Sequence, residues 1–178
     1  MSKTILIDAG HGGSDPGAVN KTRCEKNANL DIAMKLGTKL QKQGFKVVYS
    51  RKTDVTKTLL ERVTVSNSVK ADFFISIHCN SASNKTAAGI ESWVYQGVGG
   101  ITRRLANNVQ KQLASIEGVK NRGVKDGTFY VLKRTICPAL LVECGFISNS
   151  QECEKLFDSD YQNELAEKIC KGVLDTIK

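Results

Sequence analysis

Only two histidines occur in the 178-residue chain, and each follows a short apolar run. His11 lies in Asp8–Ala9–Gly10–His11–Gly12–Gly13, and His78 in Ile75–Ser76–Ile77–His78–Cys79–Asn80. Two glutamates have matching placements: Glu143 closes Leu140–Leu141–Val142–Glu143, and Glu25 opens a segment of helical period. A lone histidine after a strand is more often structural than functional. Two histidines and two carboxylates at one sheet edge reverse that balance, because two neutral imidazoles and one carboxylate form a frequent catalytic zinc shell with a fourth position for water. Zinc in such a shell lowers the pKa of water to about 7 and polarises a carbonyl. A second, unligated carboxylate then carries the proton from water to a leaving nitrogen. His11, His78 and one glutamate fit the ligand positions, and the other glutamate fits the base. Spacing alone leaves open which glutamate does which. Cys79 is a poor ligand candidate, since successive strand residues point to opposite faces.

The glycine-rich loop around His11 invites a phosphate-binding reading, which the residues do not support. Gly12 and Gly17 have the P-loop separation, but Ala18–Val19 stand where Lys and Ser or Thr are required. The dinucleotide pattern fails at Asp15, where a carboxylate in place of the third glycine would repel a pyrophosphate. The glycines are better read as letting the backbone fold tightly beside His11.

Placing these residues requires a scaffold in which strand and helix signals alternate. Thr4–Asp8 reads as a buried strand, followed from Glu25 by a helix with Leu30, Ala33, Met34, Leu36 and Leu40 in period and Gly44 as its stop. Phe45–Tyr49, Asp72–His78, Ile90–Tyr95, Thr128–Leu132 and Ala139–Glu143 read as further strands. Helical patterns occupy Leu59–Val69 and Ile101–Leu113, and Asn149 three residues before Glu152 starts a helical segment that runs to Ile177. The order βαβαββαββαα describes an α/β fold with a mostly parallel sheet and helices on both faces. In such sheets the ligand site lies beyond the carboxyl ends of the strands, which is where His11, His78 and Glu143 fall.

At roughly 100–200 residues per domain, residues 1–178 are expected to form one domain, and no linker is recognisable. Hydrophobic residues at 40% and charged residues at 25% match globular usage and argue against disorder. Apolar runs such as Ala139–Val142 are far too short for a membrane span. The first residues read as a strand and not as a secretory signal, so a protein made in the cytoplasm would need lysis or another route to act outside. The net charge of +8 favours an anionic partner: nucleic acid, acidic lipid or an anionic wall. No run of five like charges and no aromatic-rich basic stretch occurs, which disfavours specific nucleic-acid binding. None of the cysteines at 24, 79, 137, 144, 153 and 170 is spaced as C-x-x-C, and reduced core thiols are expected.

The segments Ile5–Gly13, Glu25–Lys26–Asn27, Ile75–Asn80 and Leu141–Val142–Glu143–Cys144–Gly145–Phe146 strongly resemble the zinc-dependent N-acetylmuramoyl-L-alanine amidases of bacterial wall hydrolases and phage endolysins. Ser50–Arg51, Leu60–Glu61–Arg62, Asn121–Arg122–Gly123 and Phe129–Tyr130–Val131–Leu132 agree as landmarks, so the resemblance spans Ile5 to about Gly172. It implies a single catalytic α/β domain over residues 1–178 with a six-stranded sheet, and no wall-binding module of the kind such proteins often carry is recognisable. It places zinc ligands on His11, Glu25 and His78 and the catalytic glutamate on Glu143. The implied reaction cuts the amide between the lactyl group of N-acetylmuramic acid and L-alanine of peptidoglycan, with one zinc per chain. Cys24, Cys79 and Ser81 depart from the pattern without touching an assigned ligand. Arg51, Asp54 and Arg62 fit a structural ion-pair cluster as readily as a functional one, and Arg122 fits either a stem-peptide contact or a solvated loop. A zinc peptidase cutting within the stem peptide, or a basic wall- or nucleic-acid-binding module, are the competing readings.

Overall fold

In the computed structural model, which describes residues 2–177, the continuous apolar run Ile5–Leu6–Ile7 is fully buried within β1 (Thr4–Ala9). Burial on both faces of a strand is the mark of a central position in a helix-covered sheet. The chain continues through a two-strand hairpin, β2 (Val19–Asn20) and β3 (Arg23–Cys24), into α1 (Glu25–Lys42) and β4 (Lys46–Tyr49). Next come α2 (Leu59–Ser68), β5 (Phe73–Asn80), β6 (Ile90–Tyr95), α3 (Gly100–Leu113) and β7 (Asn121–Gly127). The last elements are α4 (Tyr130–Arg134), β8 (Ala139–Phe146), α5 (Ser150–Leu156) and α6 (Ser159–Ile177).

Six strands form one sheet in the order β4-β1-β5-β8-β6-β7. β4, β1, β5 and β8 are parallel, β6 runs antiparallel to β8, and β7 is parallel to β6. The reversal at β6 follows from its short connection, residues 81–89, which holds no helix and is shorter than a parallel crossover requires. One face packs Ile5, Ile7, Phe73, Ile75, Leu140 and Val142 against α1, α3 and α6. The other packs Leu6, Phe74 and Leu141 against α2 and α4 in a smaller cluster. Strand alternation puts Asp8, Ser76, His78 and Glu143 on this second, thinner-covered face at the strand ends.

One strand lies elsewhere than the sequence suggests. Thr128–Leu132 is not a strand: Tyr130–Arg134 is a short helix, and the edge strand is Asn121–Gly127, outside every strand read from the sequence. Only Val124 is aliphatic in Asn121–Gly127, whose residues are mostly half-buried or exposed, so an edge position leaves no alternating signal. Val131 and Leu132 do pack on the sheet, but from a helical turn. Asn149 caps α5 as its spacing suggests, its Oδ1 accepting from the N–H of Gln151 and Glu152. All six cysteines are free, and Cys79, Cys144, Cys153 and Cys170 are buried. No helix among the described residues is long and apolar enough to cross a membrane.

Candidate metal centre and active site

The loop after β1 is built from behind by two buried guanidinium groups. His11 has φ 59°, a left-handed conformation that costs a side-chain-bearing residue strain unless its surroundings hold it there. Arg62 donates from Nη2 to the His11 carbonyl at 2.7 Å and from Nη1 to the Ala9 carbonyl at 2.6 Å. Arg51 donates from Nε to the Ala9 carbonyl at 3.0 Å and from Nη2 to the carbonyls of Gly10 and Lys26 at 2.9 and 2.8 Å. The backbone on either side of His11 and just after Glu25 is thereby tied to fixed cations. Asp8, buried, balances Arg62 at 2.7 Å and accepts from Ser50 and Ser76 as well. Arg51, Asp54 and Arg62 therefore do not form the single cluster their spacing offers. Asp54 pairs with Lys26 at 2.7 Å, and its other oxygen accepts from the Gly13 N–H.

Two glycines are required by close approach. A Cβ on Gly10 would stand 2.2 Å from the His78 ring. Gly17 has φ +65°, and a Cβ there would meet Glu25 Oε2 at 2.6 Å and His11 Cδ2 at 2.7 Å.

Within that cradle His11, Glu25 and His78 come together, with one donor atom from each lying within 4.8 Å of the others. Glu25, the first residue of α1, is buried where the helix N-terminus favours negative charge. His11 donates from Nε2 to Glu25 Oε2 at 3.2 Å, and His78 from Nδ1 to Glu25 Oε1 at 3.1 Å. The N–H groups of Ala18 and Cys79 and the Asn29 amide also donate to the Glu25 carboxylate. Zinc ligand atoms at 2.0–2.2 Å in a tetrahedron stand about 3.4 Å from one another, so this donor set fits zinc with only small side-chain adjustment.

Sequence reasoning missed the residue that orients His11. Asp15 Oδ2 accepts from His11 Nδ1 at 2.8 Å and its Oδ1 accepts from the Gly17 N–H. A carboxylate on Nδ1 leaves Nε2 facing the centre, the arrangement that fixes a metal-binding imidazole. Asp15→Ala is expected to weaken zinc affinity by about 10–100-fold. Asp15 is exposed, so the fold should be spared; competition with a chromophoric chelator, read beside a melting curve, checks both. Asn29 was also missed, although its place four residues after Glu25 on one helix puts the two on the same face.

Glu143 stands opposite His78 in the β5–β8 register and opposite Glu91 in the β6–β8 register. Its Oε2 is buried and has no hydrogen-bond partner among the described residues. Burial pushes its pKa up to about 7; His78 works against that shift, and the carboxylates of Glu25 and Glu91 add to it. His11, Glu25, His78 and Glu143 all line one cavity of about 540 Å³, whose other walls include Leu59, Phe129 and Tyr130.

Both ring nitrogens of His11 face carboxylate oxygens, so the metal-free ring holds both protons. Burial alone would lower its pKa, but the bonds and charges of Glu25 and Asp15 outweigh that and raise it to about 9. Glu25 is costly to bury, yet its bonds to His11 and His78 hold its carboxyl far below the usual range. Opposite pH trends follow for the metal-free and zinc-loaded protein. The raised His11 pKa stabilises the metal-free fold fully below about 6.5 and is lost as pH rises towards 9, whereas the Glu25 contribution is present above about 4.5 and fades in acid. Zinc must displace the Nε2 proton, so its affinity should rise up to about tenfold per pH unit as pH climbs towards 9 and level off above it. Melting curves with and without zinc at pH 6, 7 and 8 should therefore diverge; a zinc-induced shift independent of pH would contradict this protonation scheme.

An α/β domain that gathers two imidazoles and a carboxylate at one edge of its sheet, beside a half-buried glutamate whose buried Oε2 is unpartnered, offers the donors of a metal site with a free carboxylate next to it, the layout of a hydrolase. A sequence model of N-acetylmuramoyl-L-alanine amidases matches residues 5–175, and the chain belongs to that family. The chain is 41% identical over 174 residues to the Bacillus subtilis protein YqiI, covering 96% of this chain and 83% of that one. It is 39% identical to the B. subtilis N-acetylmuramoyl-L-alanine amidase LytC over 98% of this chain but only 35% of LytC. The crystal structure of an N-acetylmuramoyl-L-alanine amidase from Clostridium difficile 630 superposes with a TM-score of 0.96 at 41% identity, covering 99% of this chain and 97% of that one.

Proposed function

We propose that this protein hydrolyses the amide between the lactyl group of N-acetylmuramic acid and L-alanine of peptidoglycan, using one zinc held by His11, Glu25 and His78. Family membership supports the bond cleaved, and the donor set supports the metal. When bound, zinc supplies a Lewis acid for the carbonyl oxygen and acidifies water. The observation that carries the mechanism is the unpartnered, buried Oε2 of Glu143 in the same cavity as the three ligands. A carboxyl group near pKa 7 can take a proton from the attacking water and return it to the alanine nitrogen as the C–N bond breaks. Asp15 keeps His11 Nε2 turned towards the donor cluster, where it would hold the metal, and Arg51 and Arg62 keep its backbone in place.

Digestion of purified walls with and without chelator, with products identified by mass spectrometry, tests this reading. New L-alanine amino termini and free lactyl carboxylates, lost on chelation and restored by zinc, are the expected products. Cuts within the stem peptide would instead make the protein a peptidase. Full lytic activity in metal-free protein would refute the mechanism.

A further inference from the structure

Beyond Glu143 along the same sheet edge, a second buried carboxylate gathers two cations. Glu91 is 2% exposed, and its Oε2 accepts from Arg122 Nε and Lys125 Nζ, each at 2.6 Å. Its Oε1 accepts from Asn80 Nδ2 at 2.8 Å and Trp93 Nε1 at 3.1 Å. Four donors leave this carboxylate no capacity to act as an acid or base. The cations are not satisfied in return. Their side chains stay 27% and 33% exposed, and among the described residues Arg122 Nη2 has no partner while Lys125 spends one donor on Glu91. The guanidinium lies 4.8 Å from the Phe146 ring and the ammonium 5.2 Å from the Trp93 ring, contacts that hold both heads in place without using N–H donors. One carboxylate against two cations leaves a net positive charge facing the solvent. A buried carboxylate needs only one such cation for neutrality, so the pair is suited to an anion from outside.

We propose that Arg122 and Lys125, held by Glu91, form a subsite for the free α-carboxylate of the second residue of the stem peptide. The proposal rests on the amidase reading above. His78, Glu143 and Glu91 lie side by side on β5, β8 and β6, and the bulge between Ile90↔Asn121 and Ser92↔Val124 brings Arg122 next on β7. Neighbouring strands are about 4.8 Å apart, which puts β7 roughly 10 Å from the strand of Glu143. An extended peptide advances about 3.5 Å per residue, so a carboxylate two residues beyond the scissile carbonyl lies roughly 7 Å from it. Side chains drawn from β7 back towards Glu91 close that gap. The muramic acid side of the scissile bond is an uncharged N-acetylated sugar, so charge sorts the peptide towards these cations. A carboxamide at the same position lacks the charge and would not be held in this way.

The test uses two soluble substrates, N-acetylmuramoyl-L-alanyl-D-isoglutamate and its isoglutamine counterpart, with wild type, Lys125→Gln, Arg122→Lys and Arg122→Gln. Wild type should favour the free carboxylate by roughly tenfold in kcat/KM through KM, the size expected of one charge-assisted hydrogen bond. That preference should shrink as salt is raised. In Lys125→Gln and Arg122→Gln the ratio should fall towards one, and Arg122→Lys should retain part of it. If Arg122→Gln fails to fold, Lys125→Gln and the wild-type salt series decide the matter alone. Equal cleavage of both substrates by wild type overturns the subsite and leaves the amidase reading standing. Cleavage of neither overturns both.

Discussion

Glu143→Gln is expected to lower wall hydrolysis by on the order of a hundredfold or more while leaving zinc bound and the fold intact. The geometry separates these effects. Glu143 is not among the three residues whose donor atoms cluster, so its loss removes no ligand. Its Oε2 has no partner, so an amide in its place breaks no hydrogen bond at that atom. An amide cannot take a proton from water, and that step alone is removed. Stability should change in a direction set by pH. Burial raises the Glu143 pKa from 4.5 to about 7, so ionising it weakens the metal-free fold as pH climbs through that interval. Metal-free Glu143→Gln should therefore melt above wild type at pH 8 and match it at pH 4. Zinc content, melting temperature and product release, measured on one preparation, check the three parts together. Full activity in this variant would make the assignment of the base wrong.

The four residues at the centre were legible because their chemistry is rare in this chain and their placement is local. Two histidines, one glutamate closing an apolar run and one opening a helix can be found by reading along the sequence. Buried strands such as Thr4–Ala9 and Ala139–Phe146 were legible for a similar reason, since burial on both faces leaves an uninterrupted apolar run. What the sequence hid is what distant segments do to each other. Arg62 reaches back to the carbonyls of Ala9 and His11, and Arg51 reaches Gly10 and Lys26, contacts that no local period encodes. The left-handed turn at His11 is a product of those contacts, so it too was invisible. The edge strand Asn121–Gly127 was missed because half-exposed strands need no apolar alternation, and the aromatic pair Phe129–Tyr130 drew the strand assignment to a helical turn. Arg122 and Lys125 gain meaning only once β7 is a strand beside Glu91, which is why the landmark Asn121–Arg122–Gly123 stayed ambiguous.

Glu25→Ala is expected to produce the opposite pattern to Glu143→Gln: zinc is lost, and turnover falls to the level of chelated protein. Glu25 supplies the only carboxylate of the donor cluster and the bond that links the two imidazoles to each other. Without it, two raised-pKa rings lose the carboxylate that stands between them, and the site keeps two ligands where a catalytic shell needs three. The alanine variant also strands the N–H groups of Ala18 and Cys79 and the Asn29 amide, each at a cost of about 1–3 kcal/mol if no water replaces the acceptor. Lower thermal stability would then accompany the lost metal and could be mistaken for its cause. Glu25→Gln separates the two, because its amide oxygen still accepts hydrogen bonds while the charge is gone. Metal analysis after gel filtration, repeated with excess zinc, should show Glu25→Gln folded, poorly loaded and partly rescued, with Glu143→Gln fully loaded throughout. If Glu25→Gln keeps a full zinc and Glu143→Gln loses it, the two glutamates have exchanged roles, and the ligand shell must be redrawn around β8.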